Sequence, residues 1–170
     1  MSATANIASL NALAPPMAEA ALLACCGSTR WARRMVQRRP FEDAADLLAA
    51  AAAIWNELAP EDWREAFSKH PRIGEQPQQQ SAHERAWSEQ EQAAAGAGSE
   101  RTRIAMAEAS TDYEQRFGYI FIVCATGKTA EELLANLRQR LQNDADTELR
   151  VAAEEQRKIT ELRLRKFLGL

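Results

Sequence analysis

Phe117-Gly118-Tyr119-Ile120-Phe121-Ile122-Val123-Cys124 is the stretch whose reading decides the fold class. It is rich in aromatic and β-branched residues and reads locally as a strand. No second segment of comparable strength exists to pair with it, and a lone strand leaves its backbone donors and acceptors unpaired. The expectation is an all-α protein in which residues 117–124 form an extended, non-sheet connector between helices. Its backbone groups then need side chains, water or a ligand to satisfy them. That makes the connector a candidate wall of a binding site.

Outward from this stretch the pattern is helical in both directions. On the N-terminal side, Met106, Ala109, Tyr113 and Phe117 fall on one helix face, with Ser99 able to start that helix and Gly96 and Gly98 breaking the one before it. On the C-terminal side, Thr129 and Glu132 have capping-box spacing ahead of the stripe Leu133, Leu134, Leu137 and Leu141. A last helix after Asn143 carries Leu149, Ala152, Ile159, Leu162 and Leu164 or Phe167. Nearer the start, Ile7, Leu10 and Leu13 form a short element ended by Pro15-Pro16, which also suit the first turn of the next helix. Gly27 closes that helix, and Ser28 caps a third bearing Trp31 and Met35. Asp43 opens an Ala-rich helix with the stripe Leu48, Ala52 and Trp55, and Pro60 starts a short one ending near Phe67. No internal repeat appears, so residues 1–170 read as a single compact helical domain.

The bulk numbers exclude several function classes. The chain has 170 residues, 46% hydrophobic and 26% charged, with net charge −3. That is the balance of an ordinary globular domain, without the basic excess of a nucleic-acid binder. The cluster Arg30, Arg33, Arg34, Arg38 and Arg39 reads as a solvated helix face. Cys25, Cys26 and Cys124 make no disulfide framework, which points to a reducing, cytoplasmic setting. With His70 and His83 the two histidines and no spaced Cys pairs, no metal site is expected. No apolar run approaches the roughly 20 residues of a membrane span. The N-terminal residues lack the basic and apolar regions of a signal peptide, and the last residues carry no peroxisomal Ser-Lys-Leu.

Three places carry residues suited to chemistry. His70 precedes Pro71, which biases it away from helix, with Gly74 allowing a sharp turn nearby. An imidazole held at such a corner suits proton transfer near neutral pH. By residue type alone, an ordinary loop or capping histidine is the commoner identity. Ser88, Glu91 and Gln92 place a hydroxyl, a carboxylate and an amide within one turn at a helix start, where unpaired N–H groups favour anions. A carboxylate near His70 would orient its ring and raise its pKa; a plain capping box explains Ser88 and Glu91 equally. Arg163, between Leu162 and Leu164, lies near the apolar stripe of the last helix, where a buried guanidinium needs a carboxylate from protein or ligand.

Together, His70-Pro71-Arg72-Ile73-Gly74, Ser88-x-x-Glu91-Gln92, Phe117-Gly118-Tyr119-x-Phe121-Ile122 and Leu162-Arg163-Leu164 resemble the OHCU decarboxylases, OHCU being 2-oxo-4-hydroxy-4-carboxy-5-ureidoimidazoline. The stretch from Arg138-x-x-Leu141-x-Asn143 through Glu148 to Ile159 is similar as well, so the resemblance covers nearly the whole chain. It implies an all-helical fold, often a homodimer, acting on a small-molecule substrate with no metal or organic cofactor. It implies decarboxylation of OHCU to (S)-allantoin in urate degradation. The family's catalytic histidine falls on His70 and its acidic partner on Glu91. Pro71, Ser88 and Gln92 match substrate-contacting positions, Phe121 and Ile122 the segment whose backbone meets the ligand, and Arg163 the substrate-binding arginine. The loop Gln76 to Gln80 is not a recognised family feature. A helical interaction module is the competing non-enzyme reading, and a related small-molecule lyase on the same fold is the other alternative.

Overall fold

The structure is a computed structural model that describes residues 3–72 and 98–170. Ser88, Glu91, Gln92, His83, the loop at Gln76 to Gln80 and the helix expected from Ser88 lie outside the described residues. Those described residues form eight helices and no strand, which is the all-α class expected. They divide into two compact units, Met1–Ala66 with Gln156–Leu170, and Phe67–Glu155.

The first unit contains α1 (Ala3–Ala12), α2 (Pro15–Cys26), α3 (Thr29–Arg38), α4 (Ala44–Asn56) and nearly all of α5 (Pro60–Phe67). The boundaries follow from local chemistry. Pro15 and Pro16 occupy the first turn of α2, whose end is closed by Gly27 in the left-handed conformation. Ser28 accepts the Trp31 N–H and Asp43 accepts the Asp46 N–H, so both act as N-caps. Helix α2 packs on α3, α3 on α4, and α1 on α4. The buried core includes Leu10, Leu22, Trp31, Met35 and Leu47. Trp31 donates its indole N–H to the Ala51 carbonyl at 3.0 Å. Arg39 donates to the carbonyls of Leu10 and Leu13 at 2.7 and 2.8 Å, satisfying the open end of α1.

The arginine-rich face of α3 is a set of ion pairs: Arg30 with Asp62, Arg33 with Glu19, Arg34 with Glu57, and Arg38 with Asp46. That is the ordinary helix face expected, with acidic partners in place of phosphates. The stripe of α4 matches the sequence reading at Trp55 and is shifted by one position at its other two members. Leu47, Ala51, Ile54 and Trp55 are the buried residues, while Leu48 and Ala52 are half-buried on the rim of a shallow groove. Alanines on both sides of the helix leave its apolar face poorly defined by pattern alone.

The second unit is built on α6 (Glu100–Phe117), α7 (Ala130–Arg140) and the first half of α8 (Ala145–Leu168), with residues 67–72 and the connector between α6 and α7. Ser99 caps α6, and Thr129 with Glu132 forms the full capping box of α7. Met106, Ala109 and Tyr113 of α6 share a core with Leu133, Leu134 and Leu137 of α7, and Phe121 and Ala125 of the connector enter the same core. A Cβ on Gly98 would come within 2.7 Å of the Ala130 Cβ, so the absent side chain lets the α6 start approach α7. In α8, Leu168 is fully buried and Phe167 only partly, and the polar Gln156 is buried as well. Gln156 earns that place by donating to the Cys26 carbonyl and the Thr160 hydroxyl.

Candidate active site

The site begins where α6 ends. Gly118 takes φ 78° and donates its N–H to the Glu114 carbonyl, a left-handed cap that terminates the helix. The chain then runs without helix or strand to Thr129, so the non-sheet connector expected over residues 117–124 is present but begins after Phe117, which closes the helix, and continues five residues further. Phe121 and Ile122 are buried in this connector. The downstream half is held by side chains rather than by a neighbouring strand. Arg140 donates to the Ile122 carbonyl at 2.8 Å. The Cys124 N–H donates to Glu155 at 2.8 Å, and Lys128 donates to the Cys124 carbonyl at 2.6 Å. The upstream half is held by rings. Tyr113 lies 5.3 Å from Phe121 and 5.9 Å from Tyr119, both edge-on. Among the described residues, none hydrogen-bonds the N–H groups of Phe121 and Ile122.

His70 follows α5 in a tight turn, its N–H donating to the Phe67 carbonyl at 3.1 Å. It is half-buried and outside any helix, as the following Pro71 requires. Two contacts fasten this corner to the connector and its helix. The Phe67 ring, three residues before His70, packs 5.3 Å from the Tyr119 ring. Arg72, two residues after it, makes a bidentate pair with Glu114 at 2.8–3.1 Å. His70, Pro71, Phe121 and Ile122 therefore belong to one unit, with the histidine corner tied to both ends of the Glu114–Tyr119 turn. Arg163 belongs to the first unit, where it is buried on α8 and its charge bears on the Cys26 thiol. Burial nevertheless dominates there and pushes that thiol up to about 12. Ser88, Glu91 and Gln92 lie outside the described residues. No group of His, Cys, Asp and Glu among the described residues is placed to hold a metal ion. No described helix is long and apolar enough to cross a membrane.

The sequence reading passed over the charged network beneath the connector. Glu148 is fully buried and Arg140 nearly so. Arg140 donates its Nε and Nη2 to Glu148 Oε1 at 2.8 and 2.6 Å, and Asn143 donates to Glu148 Oε2 at 2.8 Å. The Tyr113 hydroxyl donates to the same carboxylate. Burial raises the Tyr113 phenol well above its ordinary value, opposed by the Arg140 charge and reinforced by the Glu148 hydrogen bond, so it stays a donor. The guanidinium also lies over the Phe121 ring, 4.6 Å from its centre. A signal existed: Arg140 continues the Leu133–Leu137 stripe, and Glu148 adjoins Leu149 on the face of Ala152. A charge at a stripe position asks for a buried partner.

The chain is similar to several known proteins. A relative from Arabidopsis thaliana, "Uric acid degradation bifunctional protein TTL", is 38% identical over 148 residues, 85% of this chain. The chain spans only 45% of that relative's length. A Mus musculus protein named 2-oxo-4-hydroxy-4-carboxy-5-ureidoimidazoline decarboxylase is 33% identical over 135 residues, 78% of this chain and 75% of its own. A crystal structure of OHCU decarboxylase in the presence of (S)-allantoin superposes with TM-score 0.75 at 36% identity, covering 87% of this chain and 96% of the other. An (S)-allantoin synthase structure shares the fold at TM-score 0.70 and 19% identity, covering 95% of this chain and 53% of that one. The family model described as OHCU decarboxylase matches residues 11–165, running through both units and every described element from α2 to α7, and the chain belongs to that family.

Proposed function

We propose that this chain decarboxylates OHCU to (S)-allantoin in urate degradation, as a cofactor-free carboxy-lyase. The observation that carries the reading is the His70 corner fastened beside a connector whose Phe121 and Ile122 N–H groups are uncommitted among the described residues. The family match through residues 11–165 supports treating the whole chain as one functional domain.

The substrate supplies its own electron sink. Its carboxylate sits on a carbon adjacent to a C=N carbon, so the electron pair of the breaking C–CO₂ bond flows into the imine. The protein then has to bind the ring, set the carboxylate out of the ring plane and deliver a proton to carbon. In this proposal His70, oriented by Glu91, moves the proton at the hydroxyl or at the carbon to be reprotonated. Pro71, Ser88, Gln92 and the backbone at Phe121 and Ile122 hold the ring and ureido group, and Arg163 pairs with an anionic group. A donor fixed on one ring face yields one enantiomer. We propose also that the protein works as a homodimer in the cytoplasm. Cys25, Cys26 and Cys124 form no disulfide, which suits a reducing compartment.

The test generates 5-hydroxyisourate, adds its hydrolase and then this protein, and follows allantoin by circular dichroism. Optically active allantoin should form faster than in the protein-free control, and equal rates reject the assignment. His70→Ala should abolish nearly all of the acceleration with the helical spectrum intact; unchanged turnover rejects the role of His70.

A further inference from the structure

A buried ion pair is a poor device for stability alone. Two charges leave water, and well-packed apolar residues of like volume do as well or better. Arg140 and Glu148 sit where the helix stripes call for apolar residues, so what the pair holds becomes the question. The guanidinium donors divide in two directions. Nε and Nη2 are neutralised by Glu148, with the Tyr113 hydroxyl 3.4 Å from Nη2. Nη1 reaches the Ile122 carbonyl at 2.8 Å, and the guanidinium plane lies over Phe121. Both residues presented by the connector thus lean on one side chain. The Ile122–Val123 peptide is trans and planar, so fixing its carbonyl fixes the whole plane. The next peptide plane is fixed in turn by the Cys124 N–H on Glu155.

We infer that Arg140 is a positioning residue of the candidate site: anchored by Glu148 and Tyr113, it sets the orientation of the Phe121–Ile122 backbone that the ligand meets. This rests on the function proposed above. Glu148 serves by aiming the guanidinium and Tyr113 by aiming Glu148. A lysine at 140 would carry the charge but not the fork. Its single ammonium has no planar set of donors to span a carboxylate, a carbonyl and a ring face together.

The experiment compares wild type, Arg140→Lys and His70→Ala in the coupled assay. In parallel, calorimetry follows (S)-allantoin binding, and far-UV circular dichroism checks the fold. Backbone groups that hold the ring act on ground state and transition state alike, so Arg140→Lys should raise KM about tenfold, with kcat falling less than about threefold. Allantoin binding should weaken by a similar factor. His70→Ala should show the reverse split, with kcat lost and allantoin binding retained. If Arg140→Lys does not fold, Glu148→Gln decides, since it keeps the volume and one accepting oxygen while removing the charge that aims the guanidinium. A rise in KM there supports the inference. An active wild type whose variants keep the wild-type KM and allantoin affinity overturns the positioning role and leaves the function standing. A wild type that neither turns over OHCU nor binds allantoin overturns the function, and the positioning role with it.

Discussion

Cutting the Arg140–Glu148 pair from either side should cost more than its two charges are worth together. Their side chains are 5% and 0% exposed. In Arg140→Met, the Glu148 carboxylate keeps the Tyr113 hydroxyl and the Asn143 amide but loses its counter-charge. Stranding a buried charge in this way costs about 3–5 kcal/mol. In a chain of this size each kcal/mol moves the melting temperature by roughly 2–4 °C, so the drop should be roughly 6–20 °C. Glu148→Leu strands the arginine and should cost a similar amount. The double variant strands no charge, leaving only neutral groups unpaired at about 1–3 kcal/mol each. Its loss should therefore fall short of the sum of the singles by about 2 kcal/mol, within the usual range for residues of one network. Urea denaturation of the four proteins followed at 222 nm measures the cycle. Additivity within about 0.5 kcal/mol would refute the picture of a mutually neutralising pair.

Two further predictions concern titrating groups. Burial raises Cys26 from the ordinary 9.0 to about 12, so iodoacetamide at pH 8 should leave it unmodified in the native protein and alkylate it in urea. Because the folded value is the higher one, its stabilising contribution is complete below pH 9.0 and fades as pH climbs towards 12. The deficit of Cys26→Ala in urea midpoint should accordingly shrink between pH 8 and pH 10.5, and a widening gap would contradict this. Asp144 caps α8, accepting the Thr147 N–H at 2.9 Å and its hydroxyl at 2.7 Å, and these bonds hold its carboxyl below the ordinary 3.8. A lowered folded value means stabilisation present above pH 3.8 and lost as pH falls through the folded value. Asp144→Ala should therefore be less stable than wild type at pH 6 and closer to it at pH 2.5 in matched urea melts. A deficit unchanged at pH 2.5 would show that ionisation of the cap is immaterial.

Helix ends were legible because they depend on neighbours in the chain. Ser28, Asp43 and Ser99 each hold an N–H three residues on, and Gly118 alone makes the turn that ends α6. Buried faces were legible where the stripe was bounded by charge, as in α7. In the Ala-rich α4, where the pattern has no edge, Trp55 was placed correctly while Leu48 and Ala52 stood one residue off the buried Leu47 and Ala51. At the site, the His70–Pro71 corner and the odd character of residues 117–124 could both be read from local constraint. The Arg140–Glu148–Tyr113 network could not, because its members come from three helices and only their burial reveals them.

By itself, then, the sequence determined the helical class, the non-helical break after Gly118, and the His70 corner, since caps, periodicity and the proline restriction act within a few residues. Only the tertiary structure decided what satisfies the connector. Arg140 lies 18 residues from Ile122 along the chain and Glu155 lies 31 from Cys124. A backbone carbonyl or N–H left without a strand takes whichever donor or acceptor packing brings to it, and no local rule names that partner.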